Sequence, residues 1–287
     1  MLSKMPEDFV EEVYKEQISK LSSPPGLQTK GLQVPLNIFL FQEVQRMQRI
    51  LMLSRKNLRA VIDAIDGLII MTPDLQDDVN LIFDMRVPKK WLRDPSGAEI
   101  SWISPTLGKW FSGMQLRVEQ LVSWLQNGRP KSFWLSGFFN PEGFLTGMMQ
   151  EVTRQHKKDQ WGLDDVVLQT EVKGYDYDKV KDVPDEGVNI HGLYIEGSRW
   201  NWHEGKLDES LPKVMVDRMP ILYVTAVTSK DKKNRTAEFG QYEPYDCPVY
   251  KYPKRTDNYL VFRVNLRTEV PPSHWKLRGT ALLCSTE

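Results

Sequence analysis

The stretch Pro35–Leu51, PLNIFLFQEVQRMQRIL, sets the character of the front of the chain. Leu36, Phe39, Leu40, Val44, Met47, Ile50 and Leu51 recur at helical spacing and form one apolar stripe, with Glu43, Gln45, Arg46 and Arg49 mostly on the opposite side. Before it, Phe9, Val10, Val13, Tyr14, Ile18 and Leu21 predict a first amphipathic helix that Ser22-Ser23-Pro24-Pro25-Gly26 ends. After it, Leu58, Val61, Ile62 and Ile65 predict a further helix that stops near Asp66-Gly67, where glycine can take the left-handed C-cap conformation. Thr72-Pro73 with Asp74 marks another start, and Val87 to Ile103, with Trp91 and Trp102, reads as an irregular but well-packed connection.

Two capped helices follow. Ser104 is read as a cap with Pro105 at the first position, Leu107, Trp110, Phe111, Met114, Val118, Leu121, Val122 and Leu125 facing inward, and Asn127-Gly128 as the stop. Asn140-Pro141 opens the next, whose stripe is Phe144, Leu145, Met148, Met149 and Val152. Thr153 to Asp159 then runs out into charge.

Beyond Trp161 the pattern changes. Val166–Val172, Val188–Ile195, Val214–Val216, Ile221–Val227, Pro248–Tyr252, Tyr259–Leu266 and Trp275–Leu283 are rich in β-branched and aromatic residues with turn-forming clusters between them, and each is expected as a strand. The best alternation puts Leu260, Phe262, Val264 and Leu266 on one face and Arg263 and Asn265 on the other. The expected fold class is α+β: a helical subdomain over residues 1–159 and a small antiparallel β-barrel or sandwich over residues 160–287, since curling or stacking a sheet covers both its apolar face and its edges.

Composition narrows the function. Lys plus Arg and Asp plus Glu each total 38 in 287 residues, so no global field draws in polyanions and nucleic acid is not expected as a partner. The basic runs Lys230–Lys233 and Lys251–Arg255 read as solvated loops. No stretch approaches the roughly 20 apolar residues of a membrane span, and Met1 to Lys30 lacks the layout of a signal peptide. Cys247 and Cys284 lie far apart without metal-ligand spacing, which fits a reduced, cytosolic compartment, where the sequon Asn234-Arg235-Thr236 carries no meaning.

The protein's own chemistry is sparse. Gly187 to Gly192 imitates a phosphate loop but runs into Leu193-Tyr194 with no following Lys and Ser or Thr. His156, His191, His203 and His274 include no helical i, i+4 pair. Asp176 and Asp178 begin like a calcium loop, yet Val180 holds the third ligand position. His203-Glu204 beside Trp200 and Trp202 reads as a surface hairpin turning at Gly205, with catalysis there the remoter alternative. No catalytic, cofactor or metal residue is assigned.

Phe133, Trp134, Phe138 and Phe139 crowd around Leu135-Ser136-Gly137 just before Asn140-Pro141, an aromatic block expected as a hinge core between helical and β portions. This block, together with Pro35-Leu36-Asn37-Ile38-Phe39-Leu40 and Gln42-Glu43-Val44-Gln45-Arg46-Met47, resembles the C-terminal region of dynein heavy chains. Further matches are Gly192-Leu193-Tyr194-Ile195-Glu196-Gly197 with Trp200, Cys247-Pro248-Val249-Tyr250-Lys251, and His274-Trp275-Lys276-Leu277-Arg278-Gly279. Arg267-Thr268-Glu269, Pro271-Pro272-Ser273-His274-Trp275 and Ala281-Leu282-Leu283-Cys284 look axonemal, with an outer-arm heavy chain the specific expectation.

The resemblance implies an excised, non-catalytic region that lies on the ring of AAA+ modules of the same heavy chain, braces it and tunes motor output. It also implies further contacts with other dynein subunits, microtubules only indirectly, and a place in the axoneme of a cilium or flagellum. Structural or interface candidates are Phe133, Trp134, Phe138, Phe139, Asn140, Pro141, Trp200, His274, Trp275 and Arg278. A protein- or peptide-binding β-barrel module and a freestanding enzyme stand as alternatives.

Overall fold

The computed structural model describes residues 1–236 and 242–286. The front of the chain forms α1 (Glu11–Lys20), α2 (Pro35–Ile65), α3 (Pro73–Phe83), a short α4 (Lys89–Leu92), α5 (Leu107–Asn127) and, after β1 (Phe133–Trp134), α6 (Pro141–Gln155). The separate helix expected from Leu58 is instead the continuation of α2, one helix of 31 residues. No Gly or Pro interrupts residues 52–57, and the buried hydroxyl of Ser54 returns to Ile50 O at 2.7 Å, so the polar positions between the two stripes do not break it. α2 does end before Gly67, whose φ of +74° lets Leu68 N reach back to Asp63 O at 2.8 Å.

Caps decide the other starts. Thr72 accepts from Leu75 N at 3.3 Å, and Asn140 from Gly143 N at 3.0 Å, each followed by Pro at the first helical position. The start expected at Ser104-Pro105 is displaced: α5 begins at Leu107, and Thr106 is the residue whose hydroxyl accepts from Lys109 N, at 3.2 Å. A cap serves the N–H two or three residues on, and Thr106 stands three residues before Lys109.

The second half supplies β2 (Val166–Val172), β3 (Val188–His191), β4 (Tyr194–Glu196), β5 (Arg199–Asn201), β6 (Lys206–Asp208), β7 (Val216–Arg218), β8 (Leu222–Thr228), α7 (Ser229–Thr236), β9 (Tyr245–Tyr250), β10 (Leu260–Leu266), α8 (Pro272–Arg278) and β11 (Ala281–Leu283). They make a four-stranded sheet in the order β1-β3-β8-β2, a five-stranded sheet β10-β9-β11-β4-β7, and the β5-β6 hairpin. These are open sheets rather than one closed barrel, and they are mixed rather than antiparallel, because β1 runs parallel to β3 and β11 parallel to β9. The side chains of Asn234, Arg235 and Thr236, and of Lys233 in the first basic run, lie outside the described residues.

Two further corrections share a cause. The single strand expected over Val188–Ile195 is divided at Gly192, whose φ of +82° turns the backbone out of the four-stranded sheet and into the five-stranded one. The strand expected over Trp275–Leu283 is α8 followed by β11, because Pro272 sits at a helix start and Gly279, at φ +66°, ends that helix. In both places a short glycine signal overrides strand-like side chains.

The expected subdomains, helical over residues 1–159 and β over residues 160–287, divide the chain by sequence position. Sorted by contact, one compact unit gathers Met1–Lys20 and Leu40–Gln126, and the other Leu21–Phe39 and Asn127–Thr286. In the first, Trp91, Trp102 and Trp110 form a buried stack with ring centroids 5.0 and 5.1 Å apart, and the Arg117 guanidinium lies 4.1 Å over Trp102. Asn57 links the stack to α3, accepting from Trp91 Nε1 at 2.8 Å and donating to Asp78 at 3.0 Å. In the second unit, α6 packs against β8 and β2, and Phe262, Val264 and Leu266 of β10 point inward while Arg263 is exposed, the alternation expected from their order.

Candidate functional site

The aromatic block sits at the start of the second unit's sheets. β1 pairs with β3 through Phe133 opposite Ile190 and Trp134 opposite His191. Phe133 and Phe138 are buried and share a cluster with Phe39 and Phe144, with centroid separations from 4.9 to 6.2 Å. Trp134 and Phe139 are only half-buried. Trp134 lies so close to Gly192 that a Cβ there would run into its ring, and Phe139 O accepts from Lys251 Nζ at 2.9 Å. Asn140 is the α6 cap and Pro141 is buried at its first position.

Polar groups brace this block. Ser132 Oγ lies 2.7 Å from His191 Nδ1, and Tyr177 stacks on the same ring at 4.5 Å. Burial pushes His191 down to about 4, against the pull of Asp176, while Arg218 lowers it further. Glu151 of α6 pairs with Arg129 at 2.6 Å, and burial raises its carboxyl above the ordinary value while Arg129 opposes the rise. Asp176, which opens like a calcium ligand, instead caps Tyr177 N at 2.8 Å and pairs with Arg218 at 2.8 Å.

The remaining candidates gather around α8. Trp275 is buried and donates Nε1–H to Thr268 Oγ1 at 2.7 Å. His274 and Arg278 hold the two oxygens of Glu209, at 2.6 and 2.8 Å. Arg278 also lines a cavity of about 460 Å³ with Glu196, Val214, Met215, Arg255 and Gly279. Arg255 is committed to Glu196 and Gly279 O, so the basic run Lys251–Arg255 is tied to the fold at both ends rather than free in solvent. Trp200 is buried in the β5-β6 hairpin, where Asn201 Oδ1 accepts from His203 N and Glu204 N at 3.1 Å each.

A second surface lies in the first unit. One face of α2 carries Met52, Lys56, Arg59 and Asp63, spaced by one turn each, and with Ile69 these line a groove of about 660 Å³. The turn beyond α2 is openly apolar, with Leu68 74% and Ile70 86% exposed, and Phe83 at the end of α3 is 86% exposed. Periodicity reasoning passed over this surface because it looks for apolar residues that face inward. The signal it left was the run Leu68-Ile69-Ile70-Met71, which belongs to no stripe.

The sequence matches the family described as the C-terminal domain of the dynein heavy chain over residues 1–284. The chain belongs to that family. Over 287 residues this dynein C-terminal domain is 43% identical to mouse dynein axonemal heavy chain 5, covering 100% of the domain and 6% of that protein. It is 42% identical over 284 residues to human dynein axonemal heavy chain 8, with 99% and 6% covered. To the dynein gamma chain of the flagellar outer arm of Chlamydomonas reinhardtii it is 38% identical over 290 residues, with 100% and 6% covered. The domain thus spans about 6% of the length of these axonemal relatives.

Within the dynein C-terminal domain, Cys247 and Cys284 are free and buried. Burial pushes the Cys284 thiol up to about 12 and raises that of Cys247 as well, so neither is a thiolate near neutral pH. Among the described residues no group of three His, Cys, Asp or Glu side chains is placed to hold a metal ion, and no helix is long and apolar enough to cross a membrane.

Proposed function

We propose that this domain is a non-catalytic part of an axonemal dynein heavy chain that packs on the AAA+ ring of the same polypeptide and stabilises and regulates its microtubule-based motor activity. The observation that carries this reading is the exposed apolar residues of the first unit: the turn Leu68–Ile70 with the adjoining α2 groove and, at the far end of α3, Phe83. Apolar side chains left open to water at a helix end mark a face that another surface covers, and the heavy chains of the relatives extend far beyond the aligned 6%. Outer-arm identity is supported by the flagellar relative, and the same names support residence in the axoneme. Microtubules are reached through the parent motor, and other dynein subunits are further partners of this reading. The two sheets are proposed to stack as a sandwich, a reading supported by Asn265 N of β10 donating to Thr170 Oγ1 of β2 at 3.2 Å.

The test uses the full-length heavy chain with Ile70→Asp and Phe83→Asp together. Loss of cover should speed limited proteolysis of the C-terminal region and change microtubule-stimulated ATP turnover. Proteolysis and turnover equal to those of the unsubstituted motor would sink the reading. Calorimetry of the 287-residue domain with magnesium and ATP is expected to show no saturable binding, and saturable binding would overturn the non-catalytic assignment.

A further inference from the structure

His156 ends α6 at a place where three stretches of the second unit meet. Gln155 beside it donates to Pro25 O at 2.8 Å and to Asp185 O at 3.0 Å, so the loop after α1, the end of α6 and the loop into β3 converge there. The imidazole itself has a carboxylate on each nitrogen: Nδ1 lies 2.8 Å from Asp159 Oδ2, and Nε2 lies 2.9 Å from Glu186 Oε1. Its face stacks on Trp161, with centroids 4.0 Å apart and planes 14° from parallel.

The donor count fixes the charge state that suits this geometry. A neutral imidazole has one N–H and one lone pair, so it can donate to one of the two carboxylates and must turn a lone pair on the other. An imidazolium donates to both. The helix end adds to this preference, because the free carbonyls of a last turn favour a cation. The stacked indole face does too.

We infer that His156 is a proton-operated latch: the charged ring fastens the end of α6 to Glu186, and the neutral ring lets Glu186 go while keeping Asp159. Asp159 stays because it lies in the next turn, whereas Glu186 belongs to a loop thirty residues on and must be held against that loop's freedom. Release loosens the loop without detaching it, since Tyr223 of β8 donates its hydroxyl to Glu186 O at 2.8 Å and Gln155 keeps Asp185 O.

The surrounding charges leave the two carboxylates in command. Lys157 and Lys158 on the same turn are exposed, Arg154 two residues back is bound to Gln33 O at 2.9 Å, and Asp164 and Asp165 stand on the 3-10 turn beyond Trp161. Burial lowers the ring's hold on its proton, and the hydrogen bonds and charges of Asp159 and Glu186 outweigh it, so His156 stands above the ordinary histidine value. The latch therefore contributes in full below an unfolded value of about 6.5 and is lost as pH rises through the raised folded value. This goes beyond any role in the motor and does not depend on it.

The test is a proton NMR titration of the 287-residue domain, in which only four histidine rings need assignment. His156 is expected to titrate above its ordinary value, and Glu186→Gln and Asp159→Asn are each expected to move its midpoint downward. In parallel, amide-exchange protection of residues 185–189 should fall about two- to fivefold as pH passes the midpoint, the size set by a part-exposed ion pair. That step should vanish in His156→Gln. A His156 midpoint at or below the ordinary value, an unmoved midpoint in Glu186→Gln, or a protection step that survives His156→Gln would each overturn the latch.

Discussion

Phe144 and Phe83 are the same residue type in two helices, one fully buried and the other 86% exposed. Around Phe144, the rings of Phe39, Phe133 and Phe138 meet edge to face or tilted, so this cluster closes its own apolar surface. Phe83 and the turn Leu68–Ile70 leave comparable side chains in water, the turn beside a groove edged by Lys56 and Arg59. A closed cluster stabilises the fold that contains it, at about 2 kcal/mol per fully buried ring. An open one stabilises nothing until something covers it, so the two regions should answer differently to the same kind of substitution.

The largest effect is expected on the closed side. Phe138→Ala should cost roughly 3 to 5 kcal/mol, the usual range for emptying an aromatic core site, read as a lower melting temperature. A melting temperature left in place would mean that the cluster is not what holds the unit together. Removing Arg129 by Ala should cost about 3 kcal/mol by stranding the buried Glu151 carboxylate, and Glu151→Gln in the same protein should restore part of it. Full loss in both variants would show that packing rather than charge sets the cost.

Acid should attack the same side. His191 is held down to about 4 by burial, so the unfolded state takes its proton first as pH falls. Its contribution is whole above the unfolded value of about 6.5 and disappears as pH drops toward 4, by up to roughly 3 kcal/mol. His191→Gln should flatten that stretch of the stability profile in chemical denaturation, and an unchanged slope would place the acid sensitivity elsewhere.

The smallest effects belong to the open side. In the 287-residue domain, Phe83→Ala should change stability by no more than about 0.5 kcal/mol, as expected of an exposed position without special contacts. A loss near that of Phe138→Ala would erase the distinction between the regions. Alkylation of Cys284 sharpens it further: its thiol, buried and pushed up to about 12, should react at neutral pH only as the second unit opens. Phe138→Ala should accelerate that reaction and Phe83→Ala should not.

Much of the closed side is legible from residue order. Asn140-Pro141 announces its helix because a cap is a bond between residues three apart, and the alternation of Phe262, Val264 and Leu266 announces a face because strand period is local. Gly192 is visible as a glycine but not as the point where one sheet hands the backbone to another. Its meaning depends on Trp134, which approaches it from 58 residues away. The pairing of His274 and Arg278 with Glu209, and the occupation of Lys251 and Arg255, are illegible for the same reason.

Read alone, the residues settled the helical character of the front of the chain, which half would be strand-rich, and that the protein resembles the C-terminal region of dynein heavy chains, while the helix α8 was hidden under strand-like side chains. Those properties repeat every two or 3.6 positions or lie in contiguous motifs, so neighbours in sequence are enough to reveal them. Three dimensions alone decided the sheet order, the parallel pairs, the union of two predicted helices into α2 and the exposure of Phe83. Each of these turns on which distant segment arrives at a given surface, and burial is a property of that arrival rather than of the residue.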